Sequence, residues 1–311
     1  MKVLVTGAAG YLGSILVGRL LERGWSVTAV DNLRFGQHSL FGYCGHKKFS
    51  FERGDIRNFD TMGRLIREHD VLVPLAAIVG APACAKDPEI AHQTNYDAYV
   101  WLTEKASKEL IVIFPTTNSG YGVGASDELC TENSPLRPVS EYGRHKVEIE
   151  KMFLSVGNAI TFRLATVFGM SPRMRLDLLV NDFVYRAVKE GVLVLFEEHF
   201  RRNFIHVRDV ASAFIFGIEH CDQMRGLPFN VGLSSANMTK RELAEKIKEL
   251  VPNLYIHSAA IGEDPDKRDY LVSNERIESL GWKPKHSLGD GITELICGYS
   301  MVGDGQFTNL S

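Results

Sequence analysis

No two cysteines of this chain are spaced as C-x-x-C, and their number is odd: Cys44, Cys84, Cys130, Cys221 and Cys297. This argues against a disulfide framework and points to free thiols in a reducing compartment. No metal site is expected. Long apolar runs are also missing, and none approaches the roughly 20 residues that cross a bilayer, so no membrane partner is expected. Met1 leads almost directly into Val3-Leu4-Val5, without a basic stretch and apolar segment ahead of a cleavage site. No signal peptide is expected, and the cytoplasm is the default location. An excess of positive charge is absent as well: 35 Lys and Arg against 38 Asp and Glu give a formal net charge of -3. A general nucleic-acid binder is usually basic, so nucleic acid is not an expected partner. Without repeats or low-complexity segments, a scaffold role has no support. What remains is 311 residues of ordinary globular composition, 45% hydrophobic and 23% charged. That length is enough for one or two domains with a large core.

The N-terminus reads as a short buried strand, Val3-Leu4-Val5, running into Gly7, Gly10 and Gly13. A helical pattern follows, with Leu12, Leu16, Leu20 and Leu21 on one side, ending at Gly24. Trp25 to Val30 form a second strand that closes on Asp31-Asn32. A glycine turn feeding a helix N-terminus lets backbone N–H groups meet a pyrophosphate. A carboxylate at the end of the second strand binds the adenosine ribose hydroxyls and repels a 2′-phosphate, so Asp31 favours NAD over NADP; Arg34 nearby leaves NADP open. Further strands are expected at Phe49 to Phe51, Val71 to Ala77, Leu110 to Phe114 and Ala159 to Leu164, with helices at Thr61 to Glu68 and Ala98 to Lys108. Such alternation implies an α/β fold, a Rossmann-type doubly wound parallel sheet. Ligands of these sheets bind beyond the carboxyl ends of the strands, where Asp31, Asp55, Ala76 and Thr117 fall.

Tyr142 and Lys146 lie four residues apart, on one face of a helix. A phenol of pKa near 10 is a poor base at neutral pH unless a fixed cation favours the phenolate. Lys146 is placed to supply that charge. A tyrosine tuned in this way takes a proton from an alcohol while hydride leaves the same carbon.

Thr6-Gly7-Ala8-Ala9-Gly10-Tyr11-Leu12-Gly13, Asp31-Asn32-Leu33, Gly54-Asp55-Ile56, Leu75-Ala76-Ala77, Asn95, Thr117-Asn118-Ser119-Gly120-Tyr121-Gly122 and Tyr142-Gly143-Arg144-His145-Lys146 resemble the extended short-chain dehydrogenase/reductases. More narrowly they resemble the NAD-dependent epimerase/dehydratase group acting on nucleotide sugars. Arg163 to Gly169, Arg202 to Val210 and Asp264 to Arg268 extend the likeness essentially end to end. The resemblance implies NAD as cofactor, held by Gly7, Gly10, Tyr11, Leu12, Gly13, Asp31, Asn32, Asp55, Ile56, Leu75, Ala76, Ala77, Asn95, Tyr142 and Lys146. It implies a catalytic set of Thr117, Tyr142 and Lys146, with Thr116 and Ser119 as neighbours of the threonine. Thr117 would hold the reacting sugar oxygen, Tyr142 would move its proton, and Lys146 would lower the tyrosine pKa and hold the nicotinamide ribose. The 4,6-dehydratases of the family carry Thr-Asp-Glu, whereas this chain has Thr117-Asn118-Ser119. Amide and hydroxyl groups do not titrate near pH 7, so dehydration is not expected. Pro74 stands where many relatives carry a histidine.

After Phe168 the alternation ends. Residues 1–170 are expected to form the NAD-binding domain, with a return of the chain near 204–222, and 171–311 mainly a smaller nucleotide-sugar domain. By family position, Thr166, Arg175, Asn181, Arg202 and Arg268 would line the sugar and phosphate path, guanidinium groups holding phosphate oxygens bidentately. Thr239 reads as the cap of an amphipathic helix. Ile78 to Pro82, Ser171 to Phe183 and Ile261 to Tyr270 most resemble bacterial GDP-D-glycero-α-D-manno-heptose dehydrogenases, which oxidise C4 of the GDP-linked heptose in capsular heptose synthesis. The implied reaction is that oxidation, with 4-epimerisation or 4-ketosugar reduction on the same residues as alternatives. By the same analogy the chain would form a homodimer or homotetramer through Ala98 to Lys108 and Val147 to Leu154.

Overall fold

In a computed structural model, the structure describes residues 1–124, 128–259 and 268–301. The expected segment 261–267 therefore lies outside the described residues, while Arg268 lies within them. The central element is a seven-stranded, wholly parallel sheet. Its strands are β1 (Lys2–Thr6), β2 (Ser26–Asp31), β3 (Phe49–Arg53), β4 (Val71–Pro74), β5 (Ile111–Thr117), β6 (Ala159–Leu164) and β7 (Pro228–Val231). Their spatial order is β7-β6-β5-β4-β1-β2-β3, so the order reverses beside β1 and opens a crevice there. The central strands are apolar on both faces, as a sheet covered by helices on both sides requires: Val3, Leu4, Val5, Val71, Leu72 and Val73 are all inaccessible.

On one face, α1 (Tyr11–Glu22) packs beside the later helix Val207–Glu219, and Leu16, Val17, Leu20, Ala211, Phe214 and Ile218 share one core. The chain thus returns to the sheet twice after residue 170, once with this helix and once with β7. That last strand is only four residues long and carries no alternating pattern, which is why the sequence did not announce it. The other face is covered by Phe59–Glu68, Ala98–Lys105 and Glu141–Val156, whose Met62, Leu65, Leu102, Ile149 and Phe153 interlock. Trp101 stacks on Phe59 and Phe153 packs on Phe114, so both aromatics are used within the chain. Helix Ala98–Lys105 is shorter than its sequence pattern suggests. A π-helical turn, Gln93–Asp97, precedes it, and its backbone ends at Ala106 in an extended conformation.

The remaining strands form smaller pieces near the C-terminal edge of the sheet. Thr166–Phe168, Arg201–His206 and Asn237–Thr239 make one three-stranded sheet. A third core, with Val180, Val184, Leu243, Ile247, Ile292 and Leu295, lies under helices Leu179–Lys189, Lys240–Leu250 and Leu288–Tyr299. The cap expected at Thr239 is a full capping box with Glu242.

Candidate active site

A cleft of about 1110 Å³ runs along the carboxyl edge of the sheet, between β1, β2, β4 and β5 on one side and the small three-stranded sheet on the other. At its floor the backbone sets the shape. Gly7 has φ +65°, and a Cβ there would stand 2.6 Å from the Ala76 nitrogen; a Cβ on Gly13 would stand 2.4 Å from the Gly7 oxygen. Only glycine permits this close crossing of β1, the turn and the β4 exit. α1 begins at Gly10 with no side-chain cap and no acid in its first turn, which suits its N-terminus to an anion.

Asp31, at the end of β2, lines the cleft and is 8% exposed. Its Oδ2 accepts from the Ala9 N–H at 3.0 Å, and its Oδ1 accepts from Leu33 N–H at 2.8 Å and Gln37 Nε2 at 3.2 Å. Burial raises its pKa, and the two backbone donors oppose that shift. One carboxylate therefore fastens the glycine turn to the loop beyond β2. Beyond it, Asn32 donates to Asp55 at 3.1 Å, and Arg57 grips Asp55 with two bonds of 2.9 and 3.0 Å. The Arg57 guanidinium holds the Asp55 carboxyl down at about 2. These groups, with Gly7, Gly10, Tyr11, Leu12, Gly13, Ile56, Leu75, Ala76 and Ala77, line one continuous wall. The glycine cradle, the uncapped helix start and a carboxylate at the end of β2 fit a dinucleotide.

Two residues expected in that wall stand differently. Asn95 is 2% exposed; its amide donates to the Ile78 carbonyl and accepts from the Ile78 N–H, both at 2.8 Å. It fixes the loop after β4 from behind. The Tyr11 ring lines the cleft, but its hydroxyl turns inward and donates to the Gly169 carbonyl at 2.6 Å.

Thr117, Tyr142 and Lys146 line the same cleft. Ser140 caps the helix Glu141–Val156 by accepting from Gly143 N–H, which sets the register that aims Tyr142 and Lys146 at the cleft. Thr117 ends β5. Its hydroxyl lies 2.8 Å from the Ser119 hydroxyl, and Arg268 donates to that serine in turn. Lys146 is 4% exposed; it donates to the Pro115 carbonyl at 3.1 Å and sits over the rings of Phe114 and Tyr99 at 4.6 and 5.1 Å.

The electrostatics differ from the expectation. Burial pushes the Tyr142 phenol up to about 12, and the cations that pull it back are Arg175 and Arg268. Lys146 does not bond the phenol. Burial pushes its own ammonium down to about 7, a fully desolvated cation having few partners.

Asn118 is wholly buried, does not line the cleft, and leaves both amide atoms without a hydrogen bond among the described residues. No carboxylate stands at either position after Thr117. On the facing wall Thr166, Arg175, Arg202 and Arg268 line the cleft. Arg175 is paired with Asp177, and Arg202 donates to the Arg201 carbonyl at 2.9 Å beside the Tyr270 ring. Asn181 does not line it. It is inaccessible, accepts from Gly169 N–H at 3.0 Å and donates to the Arg175 carbonyl at 2.9 Å, holding the loop that presents Arg175. Its place on the first turn of an amphipathic helix directs it to the core.

Three further cleft residues were not assigned a role in the sequence: Arg173, Lys240 and Phe35. Arg173 lies 4.8 Å over the Phe35 ring, joining the 171–178 loop to the loop after β2. It sits two residues before Arg175 in a segment already rich in arginine. Lys240, first residue of its helix, offered no signal beyond a helix start.

A model of the NAD dependent epimerase/dehydratase family matches residues 3–232. The chain is 28% identical, over 94% of its length and 96% of the relative's, to the low-salt glycan biosynthesis protein Agl12 of Haloferax volcanii. It is 28% identical to the UDP-glucose 4-epimerase of Mycolicibacterium smegmatis, covering 95% of this chain and 97% of that one. Among solved structures, the Thermus thermophilus UDP-glucose 4-epimerase in complex with NAD superposes with a TM-score of 0.81 at 26% identity, covering 96% of this chain and 99% of that one. With the family model spanning the sheet, the glycine turn and the Tyr142–Lys146 helix, the chain belongs to the NAD-dependent epimerase/dehydratase family, an enzyme family with NAD as its cofactor.

Proposed function

We propose that this enzyme uses NAD to oxidise C4 of a GDP-linked sugar, a heptose of the D-glycero-α-D-manno type, to the 4-ketone, in surface polysaccharide synthesis. The observation that carries the reading is that Thr117, Tyr142 and Lys146 line the same cleft as the glycine turn and Asp31, with Asn118 and Ser119 where an eliminating enzyme needs acids. NAD, when bound, supplies the hydride acceptor. The chain's residues do the rest. The Thr117 hydroxyl, backed by Ser119, orients the sugar oxygen. Tyr142 takes the hydroxyl proton as the C4–H bond breaks. Arg175, Arg202 and Arg268 neutralise the diphosphate. The nucleobase and the heptose rest on sequence likeness around Ser171 to Phe183. Assembly as a homodimer or homotetramer, through the outer faces of Ala98–Lys105 and Glu141–Val156, belongs to the same reading, and light scattering tests it.

A 4-epimerase reading has the comparisons behind it: relatives at 26–28% identity, the Mycolicibacterium smegmatis protein and the Thermus thermophilus structure among them, are UDP-glucose 4-epimerases. That activity needs the same three residues, with the hydride returned to the opposite face. Purified protein mixed with GDP-heptose, GDP-mannose and UDP-glucose separates the two. A 4-ketosugar with one NADH per turnover from the GDP-heptose supports the oxidation. A C4-inverted sugar without accumulating NADH overturns it in favour of epimerisation.

A further inference from the structure

The helix that carries Tyr142 and Lys146 also carries Glu141 and His145 on a face away from the cleft, and neither residue lines the cleft. His92, at the end of the short helix Pro88–His92, stands against them. One donor atom from each of His92, Glu141 and His145 lies within 4.8 Å of the others. The two imidazole rings meet edge to face with centroids 5.0 Å apart. Asp97 stands behind this set: its Oδ1 lies 3.4 Å from His92 Nε2.

The backbone explains how Asp97 gets there. Residues five apart on an α-helix point about 140° from each other, because a turn takes 3.6 residues. Gln93–Asp97 is a π-helical turn, and the Ala98 N–H reaches back five residues to the Gln93 carbonyl. The wider turn brings His92 and Asp97 to one side. Such π-turns recur at functional sites because they re-aim side chains. This also explains why the sequence hid the cluster: His92 and Asp97 fit no α-helical ligand spacing, and Glu141 with His145 alone is an ordinary i,i+4 pair.

The charge around the cluster is unbalanced. His145 faces Glu141 and Glu148 on its own helix, with Arg144 as the opposing cation and His92 as its imidazole neighbour. Tyr96 faces Glu148 and Asp97, and its ring lies 5.1 Å from His92 and 5.0 Å from His145. Two imidazoles and several carboxylates against one arginine form a donor set of nitrogen and oxygen.

We propose that His92, His145 and Glu141 bind one divalent transition metal of the zinc class, with Asp97 holding the His92 ring from outside. Imidazole with carboxylate suits zinc, cobalt or nickel better than magnesium or calcium, which favour all-oxygen sets. Zinc holds such ligands at roughly 2.0–2.2 Å, so the donors must close by about 1 Å. His92 and Glu141 are exposed, which leaves their side chains room to turn. Bound metal would tie the π-turn, whose Asn95 fixes the Ile78 loop, to the first turn of the catalytic helix.

The test uses the full-length, untagged chain freed of metal with a chelator. Zinc chloride is titrated by calorimetry, and bound zinc is counted after dialysis. The expected result is one zinc per chain, with a thermal midpoint raised by zinc. His92→Asn and His145→Ala each weaken binding by at least about tenfold. His257→Ala, an exposed histidine elsewhere, leaves binding unchanged. Were His145→Ala to fold poorly by circular dichroism, His92→Asn decides alone, since its side chain is largely in solvent. No stoichiometric zinc on the wild type, or wild-type affinity in His92→Asn, overturns the proposal.

Discussion

The Lys146 ammonium stands 6.0 Å from the centre of the Tyr142 ring and gives its hydrogen bond to Pro115. The two residues of the proposed catalytic pair are thus not bonded to each other. Lys146 is a buried cation over aromatic faces. Tyr142 is a buried phenol whose charge is eased by the two arginines across the cleft.

Lys146 therefore costs stability at neutral pH. Its folded pKa of about 7 lies below its ordinary 10.5, so between those values the unfolded chain binds more protons than the folded one. Stability contributed by this group rises with pH across that window. Tyr142, raised to about 12, acts oppositely, and its contribution falls only above pH 10. Urea denaturation of the cofactor-free chain should show Lys146→Met more stable than wild type at pH 7 by on the order of a few kcal/mol, with the advantage shrinking by pH 10. Parallel pH curves for the two proteins would remove the assignment.

Tyr142→Phe keeps the ring and the helix while deleting the proton carrier. Turnover should fall by roughly 10²- to 10⁴-fold, the usual share of a general base. Cofactor affinity, measured by fluorescence titration, should change little. Turnover within a few-fold of wild type would exclude Tyr142 as the base.

Arg268 touches Ser119 and lowers the phenol pKa from across the cleft. Arg268→Ala should raise that pKa further, so the rising limb of the pH–rate profile moves to higher pH while KM for the nucleotide sugar increases. An unmoved limb with raised KM would confine Arg268 to substrate binding.

Asp31→Ala removes the acceptor for the Ala9 and Leu33 N–H groups and the carboxylate proposed to meet the adenosine ribose. NAD affinity should fall by at least about tenfold, and preference over NADP should shrink, because the charge that repels a 2′-phosphate is gone. Equal loss for both cofactors would mean Asp31 shapes the loop and does not read the ribose.

The six sheet strands expected from runs such as Val3-Leu4-Val5 and Ala159 to Leu164 were legible because buried parallel strands are continuously apolar. The shared placement of Tyr142 and Lys146 in the cleft was legible because one helix turn joins them. What long-range packing decides stayed hidden. Asn181 and Arg175 share one segment, yet the helix start turns one inward and leaves the other in the cleft. The positive potential that Arg268 brings to Tyr142 stayed hidden for the same reason, since it arrives from 126 residues away in sequence. The π-turn after His92 obeys neither helical period, and nothing local marks it.

Glu150 and Arg163 test how the fold supports Ser119. Both side chains are nearly inaccessible, at 2% and 6%, and three contacts of 2.6–3.2 Å join them. Arg163 also donates to the Tyr121 hydroxyl at 3.1 Å and the Glu132 carbonyl at 3.0 Å, so it pins the Asn118–Tyr121 turn that carries Ser119. Removing one partner leaves an uncompensated buried charge, which costs roughly 3–5 kcal/mol. Glu150→Ala should lose that much in urea denaturation, and Arg163→Met a similar amount. The double variant Glu150→Leu with Arg163→Met should recover much of it, because no buried charge is left. Its turnover should stay depressed, since the Tyr121 anchor is gone even when stability returns. Additive losses in the double variant would show that the two residues do not act as a pair.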